Sequence, residues 1–367
     1  MAVSALPLRS LFSARERTDD RPRAHGEASY AFLERAAGAR WERVRSALDD
    51  WFLHLPEAAR RDLRNRFALT TEMDHLGAFW ELWLHEAHRR LGFDVKVHVG
   101  VDAGERRQDF LVSRPGDGER FWLEATVVRG DSLLTFTERK LHEALCDLIE
   151  RVSAPPEVSL ELSVLRYGTC TPGRRRVVPR VERWLRELGD PGALRARQAA
   201  GLAAPRRRVE FDGWQFELEA IADERRRPGR RVVPARPRAQ PPEGAVNDIR
   251  PLRRKIKKKA ARYGRPDRPY LLAVLALGDH VRDCDVESAL LGIPGRESDH
   301  AVWHGPAGPC NTRLSGVLAA RGLQPARGSG APPRLWRNPW AEHPLAAGLP
   351  WGEAGASAPP HADARAA

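Results

Sequence analysis

The sequence predicts an α/β domain with a mixed central β-sheet flanked by helices, a helical region before it and a C-terminal extension after it. Three observations carry this. Residues 121–128, Phe-Trp-Leu-Glu-Ala-Thr-Val-Val, are apolar at nearly every position on both pleat faces. They lie between the turn-like Gly116-Asp117-Gly118 and Arg129-Gly130, as expected of a short strand covered on both sides. Residues 270–277 read the same way. Between and around these runs the apolar spacing switches to a helical period.

Taken in order, residues 1–27 are rich in Arg, Asp and Pro and read as a mobile arm, and 28–73 as a helical region that includes Arg40–Leu48. A helix is predicted over 74–91, with Phe79, Trp80, Trp83, Leu84 and Ala87 as its apolar stripe and Gly92 ending it. Strands follow at 93–99, 109–112 and 121–128, then a helix at 133–151 and a strand at 158–164. Residues 178–188 have an amphipathic helical pattern, and 209–221 alternate with period two around Asp212-Gly213, a hairpin signal. Residues 224–246 hold Arg and Pro with few apolar side chains and read as an exposed linker. A helix over 247–263 capped by Gly264, the 270–277 strand and a further strand near 314–323 complete the domain. Trp336 and Trp340 are expected in a loop that pins the C-terminal segment, and 352–367 are expected to be disordered. The resulting boundaries are an arm at 1–27, a helical region at 28–73, an α/β domain at 74–323 carrying the basic insertion 224–246, and an extension at 324–367.

Composition narrows the partners. The net charge is +12 and the pI about 10.2, a balance that favours an anionic partner, nucleic acid being the usual one. Cys146, Cys170, Cys284 and Cys310 are widely spaced without a Cys-x-x-Cys pair, which argues against a zinc ribbon or a disulfide framework and suits a reducing cytoplasm. No window approaches a membrane-spanning run. There is no P-loop, Gly-x-Gly-x-x-Gly or Gly-x-Ser-x-Gly, so ATPase, dinucleotide and serine-hydrolase readings lack support.

Glu124 is the residue that points to chemistry, because a carboxylate in a doubly covered strand is costly unless a cation compensates it. An arginine is one such cation and a metal ion another. Asp109 opens the preceding strand, and an antiparallel pair would bring the two carboxylates within reach of one divalent ion. Glu81 lies beside the stripe of the 74–91 helix. With its α-β-β-β-α-β order, the stretch 74–165 resembles the core of the PD-(D/E)XK, or restriction-endonuclease-like, nuclease superfamily. The resemblance implies that Glu81, Asp109 and Glu124 bind Mg²⁺ or Mn²⁺ and activate water, with Gln108 where the superfamily often has proline. Thr126 stands where the catalytic lysine belongs, on the same strand face as Glu124 but without its charge. Only six of the 61 basic residues are lysines, so each is a candidate substitute. Lys140, on the helix after the Glu124 strand, matches a position to which the lysine migrates in some members. Lys96 is expected to face away from the apolar side.

The helix at 247–263 keeps a narrow apolar stripe, Leu252, Ile256, Ala260 and Tyr263, and is otherwise cationic. Its Arg253, Arg254, Lys255, Lys257, Lys258, Lys259 and Arg262 are candidate phosphate contacts. His85-Glu86-Ala87-His88 resembles a zinc-protease motif only superficially, its histidines being three rather than four apart. The expected function is metal-dependent hydrolysis of nucleic acid, with DNA the expected substrate. The alternative is a non-catalytic nucleic-acid-binding or interaction module that kept the fold and lost the lysine.

Overall fold

The computed structural model describes residues 9–69, 71–100, 107–116, 118–129, 135–153, 157–222, 232–233, 249–262, 266–277, 281–292, 301–325 and 331–354. In chain order its elements are α1 (Ser29–Arg35), α2 (Ala39–His54), α3 (Glu57–Phe67), α4 (Glu72–Arg90), β1 (Asp94–Gly100), β2 (Arg107–Ser113), β3 (Arg120–Val128), α5 (Phe136–Ile149) and β4 (Val158–Arg166). They continue with α6 (Arg174–Leu188), α7 (Pro191–Ala199), β5 (Arg206–Phe211), β6 (Trp214–Ala222), β7 (Val232–Val233), α8 (Ile249–Ala260) and β8 (Tyr270–Ala276). The last are α9 (Asp283–Leu291), β9 (His304–Gly305), β10 (Gly308–Pro309), β11 (Gly316–Arg321), β12 (Ala331–Arg337) and β13 (Gly352–Glu353). The chain divides into two compact units, one comprising 1–17, 28–131 and 246–367, the other 18–27 and 132–245.

The first unit is α/β with a mixed central sheet flanked by helices. Its strand order is β1-β2-β3-β8-β11-β12-β13. The β1-β2-β3 meander is antiparallel, β3-β8-β11 are parallel and β12 returns antiparallel to β11. Side-chain alternation gives the sheet two apolar faces. Phe110, Leu123, Ala125, Leu271 and Ala273 meet α4 through Phe79, Trp80 and Leu84. Leu111, Trp122, Leu272 and Val274 meet Leu252, Ile256 and Ala260 of α8. Both cores run through β3 and β8, which is why those strands have apolar runs rather than an alternating pattern. The α4 helix begins at Thr71, whose hydroxyl accepts from the Asp74 N–H, and ends in a Schellman motif. There Gly92, at φ 84°, donates to Arg89 and Phe93 donates to His88. The Trp80 indole donates to the Ala273 carbonyl at 3.1 Å and locks α4 onto β8.

The second unit has its own sheet, in the order β5-β6-β4-β7, and its own core, in which Leu160, Leu162, Phe216 and Leu218 meet Leu145, Val181 and Trp184. The β5–β6 hairpin turns at Asp212-Gly213, both at positive φ (43° and 80°), as the sequence signal requires. No helix among the described residues is long and apolar enough to cross a membrane.

The structure departs from the sequence expectation at four places, one being that Gly352–Glu353, expected to be disordered, form β13 beside β12. The helix expected at 133–151 and the strand at 158–164 exist as α5 and β4, but in the second unit. In the first unit the helix and strand that follow β3 are α8 and β8. Local periodicity specifies an element but not the sheet it joins. The N-terminal arm is anchored by Leu11 and Phe12 (0% and 4% exposed), which enter the core with Phe67 and Leu33. Trp336 sits in strand β12, paired with Val317, rather than in a loop. The expected positions at 117, 130, 133–134, 263–264, 355–367 and all but 232–233 of the 224–246 linker lie outside the described residues.

Since Leu11 is fully buried, Leu11→Ala should lower unfolding free energy by about 2–5 kcal/mol, the usual range for a core leucine. Urea denaturation measures it; a change below about 0.5 kcal/mol would mean the arm is not part of the core.

Candidate functional site

Strands β2 and β3 are in register from Ser113↔Arg120 to Phe110↔Leu123. The next positions, Asp109 and Glu124, would be opposite one another and share a sheet face with Leu111 and Trp122, but the ladder stops before them. Asp109 itself interrupts it: its Oδ2 accepts the Ala125 backbone N–H at 2.7 Å, so a side chain takes the place of a strand carbonyl. The ladder therefore ends at Phe110↔Leu123, with the two carboxylates just beyond its last pair.

Glu124 is 1% exposed, and two cations compensate it. Lys259 Nζ lies 2.6 Å and Arg262 Nη1 3.2 Å from its Oε1. Both come from α8 and the turn that follows it, whose apolar stripe packs on this same sheet face. Asp109 is less well compensated. Withdrawal from water, then the nearby charges of Glu124 and Glu81, push its carboxyl up to about 8, against the opposing pull of the Ala125 N–H and Lys259. Glu81, on α4, is gripped bidentately by Arg66 of α3, both contacts at 2.7 Å. Its charge still acts on Asp109.

Thr126 is buried on the Glu124 face, opposite Val274 of β8. It brings no charge to the site. Lys140 belongs to the second unit, on α5, where it is 55% exposed and pairs with Glu143 at 3.1 Å. Lysine at the Glu124 carboxylate is thus Lys259, which the sequence reading grouped with the phosphate contacts. The signal that identifies it is its place next to Ala260 and three residues after Ile256, on the border of the buried stripe. Of the other basic residues, Arg253 is half-buried with a guanidinium donating to the Ser288 carbonyl at 3.1 Å, and burial lowers the Lys255 pKa. Arg254 and Lys258 lie on the exposed side of the helix, with Lys257 partly covered.

Gln108 precedes Asp109 and points to the opposite face. It is fully buried, and neither its amide oxygen nor its amide nitrogen has a hydrogen-bond partner among the described residues. Such a pair of orphaned atoms is expensive and rare in a settled core.

A second acidic group is fully compensated. Asp50, His54 and Glu86 bring ligand atoms within 4.8 Å of one another. Burial would raise the Glu86 carboxyl, but hydrogen bonds from Arg89, Arg90 and His54 bring it down to about 2. With two guanidiniums on one carboxylate, a metal ion has little left to neutralise. His85 and His88 are buried, burial lowering both to about 4, and His88 Nδ1 hydrogen-bonds the Leu84 carbonyl as a core histidine does.

Comparison with protein-family models, with curated proteins and with solved structures finds no match in any of the three.

Two measurements test this electrostatic description. An Asp109 carboxyl raised to about 8 in the fold, against an ordinary 3.8 unfolded, holds its proton in the native state alone between those values. Metal-free protein should therefore lose stability as pH rises from about 4 to 8 and level off above. Asp109→Asn should flatten that profile in urea melts read across pH; an unchanged slope in the variant would refute the assignment. Gln108→Met keeps the size and removes the orphaned amide, so it should stabilise the protein by about 1–3 kcal/mol. A loss of stability would show that the amide is satisfied in solution.

Proposed function

We propose that the protein is a metal-dependent nucleic-acid phosphodiesterase of the restriction-endonuclease-like kind, with DNA as the substrate. One observation carries this reading: Asp109 and Glu124 lie just beyond the last pair of the β2–β3 ladder, on one sheet face, and the Lys259 amino group lies 2.6 Å from Glu124. Two carboxylates and a lysine are the functional groups that the superfamily brings together. Here the lysine comes from α8 instead of the position two after the glutamate, where Thr126 stands. The order α4-β1-β2-β3 followed by α8-β8, with β3 and β8 parallel, supports the same kinship, the second unit's elements falling between them.

The residues suit a hard divalent cation. Asp109 and Glu124 offer oxygen ligands, and the raised Asp109 carboxyl marks a place where negative charge exceeds its compensation. Asp109 and Glu124 would hold Mg²⁺ or Mn²⁺, with Glu81 behind them as a further negative charge. The ion, when bound, supplies Lewis acidity and lowers the pKa of an attacking water. As a ligand Asp109 would have to be ionised, so binding of an ion below about pH 8 would be accompanied by release of its proton. Lys259, fixed by Glu124 and by the packing of Ala260 beside it, is preorganised to orient water and to offset charge developing on the phosphate. Arg262, 55% exposed and also on Glu124, presents a guanidinium for a phosphate oxygen.

The competing reading, a non-catalytic module, draws on the same Glu124 contacts: a carboxylate held by two cations is also a stable structural ion pair. Plasmid nicking in Mg²⁺ or Mn²⁺ separates the two. Wild type should nick. Asp109→Asn, Glu124→Gln and Lys259→Met should each reduce nicking at least a hundredfold, and Lys140→Met should leave it within about twofold. A folded wild type that binds DNA and leaves it intact with both metals would make the protein a binder. Full activity in Lys259→Met would remove that lysine from the chemistry.

A further inference from the structure

The second unit has its own cationic surface, distinct from the basic helix α8. Across α6 and β5 there are nine arginines against three glutamates. The apolar residues of α6, Val177, Val178, Val181, Trp184 and Leu185, face the core, which leaves the arginines on the outside. Strand β5 is an edge strand of its sheet, and its three consecutive arginines, Arg206 to Arg208, are all exposed. Between the two elements lies an open cleft of about 270 Å³, lined by Arg180, Arg183, Arg207, Arg208, Val209 and Glu210.

The cleft has a fixed wall. Arg180 donates to the Glu210 backbone carbonyl at 3.1 Å and stacks its guanidinium 5.8 Å from the centre of the Phe211 ring, tying α6 to β5. Arg207 and Arg208 are only loosely neutralised: each is about half exposed, with Glu187 at 3.8 Å from the first and Glu210 at 3.1 Å from the second. Arg183 has no ion-pair partner among the described residues.

We propose that this arginine cleft of the second unit binds the phosphate backbone of nucleic acid. Guanidinium groups pair with phosphate oxygens in a bidentate fork, and a wall of them without an apolar floor has little to offer an uncharged ligand. The span argues for a polymer over a lone phosphate. Arg176, Arg180 and Arg183 share one side of α6 across seven residues, about 10 Å of helix. On β5 the cleft is lined by Arg207 and Arg208, while Arg206 is held by Glu219 of β6 at 2.8 Å. Phosphates that advance about 3.4 Å along one strand of a duplex can meet several of these groups at once. The site shares its partner class with the reading of Asp109 and Glu124 but none of its residues and no metal.

The test uses the full chain in EDTA, so catalysis cannot enter. Anisotropy of a fluorescent 30-base-pair duplex is titrated at several salt concentrations. Arg183→Gln/Arg207→Gln/Arg208→Gln should weaken binding at least tenfold at low salt and reduce the log–log salt slope by about 2–3, close to 0.9 for each lost phosphate contact. The corresponding triple lysine variant should keep the slope. Glu187→Gln/Glu210→Gln removes the carboxylates that compete for Arg207 and Arg208, and should tighten binding; a misfolded protein cannot imitate that gain. Wild-type affinity and slope in the triple glutamine variant would overturn the proposal. So would a labelled polyglutamate that binds more tightly than the duplex and depends on the same arginines, since the partner would then be an acidic protein.

Discussion

A carboxylate in a strand covered on both faces sets the terms for everything around it. Glu124 sits in β3 with helices packed above and below the sheet, and without a cation it would make that strand untenable. The first unit supplies the cation from α8, more than a hundred residues further along the chain. For Lys259 to reach Glu124, α8 must lie on that face of the sheet with Leu252, Ile256 and Ala260 turned inward. The amphipathic stripe of α8, the side on which the crossover helix packs and the apolar character of β8 are all consistent with this one requirement. Asp109 adds to it by capturing the Ala125 N–H, which ends the β2–β3 ladder where the two acids would otherwise lie side by side.

The molecule treats Glu86 and Asp109 in opposite ways. Glu86 is held by Arg89, Arg90 and His54 and stays ionised at any ordinary pH. Asp109 is left beside Glu124 and within the field of Glu81, with one backbone N–H and a shared lysine to offset them. A protein selected only for stability would gain by treating Asp109 as it treats Glu86. The Gln108 amide, one residue away and without a hydrogen-bond partner among the described residues, is a second cost in the same strand. Costs that persist and cluster are typical of sites where charge is kept available for a ligand.

Much of the fold could be read from sequence because its signals are local. The stripe of α4 and its Gly92 terminus, the apolar β3 and β8, and the Asp212-Gly213 hairpin each depend on a few neighbouring residues. Which sheet an element joins does not. Nothing in 133–151 or 158–164 says that α5 and β4 belong to a second core, and the crossover helix of the first sheet comes only after that core is complete. The acids of the candidate site could be found because a buried charge breaks an apolar pattern. Lys259 could not be singled out that way, since among Lys255, Lys257 and Lys258 it breaks none; only its position on the edge of the stripe distinguishes it. Leu11-Phe12 were missed for a related reason, two apolar residues being too short a run to show a period.

The placement of the second unit within the chain also shapes how the first can form. Strands β3 and β8 are parallel neighbours, yet Trp122 pairs with Tyr270, 148 positions away. Parallel pairing across so long a stretch is slow, because loop entropy is lost before any contact repays it. Residues 132–245 make up most of the second unit and carry their own sheet and core. Their early collapse would shorten the free chain between β3 and β8 to its two ends. Rapid completion of the seven-stranded sheet then depends on an insertion that contributes none of its strands, and a mutation confined to the inserted core could delay assembly of the Glu124 site without touching it.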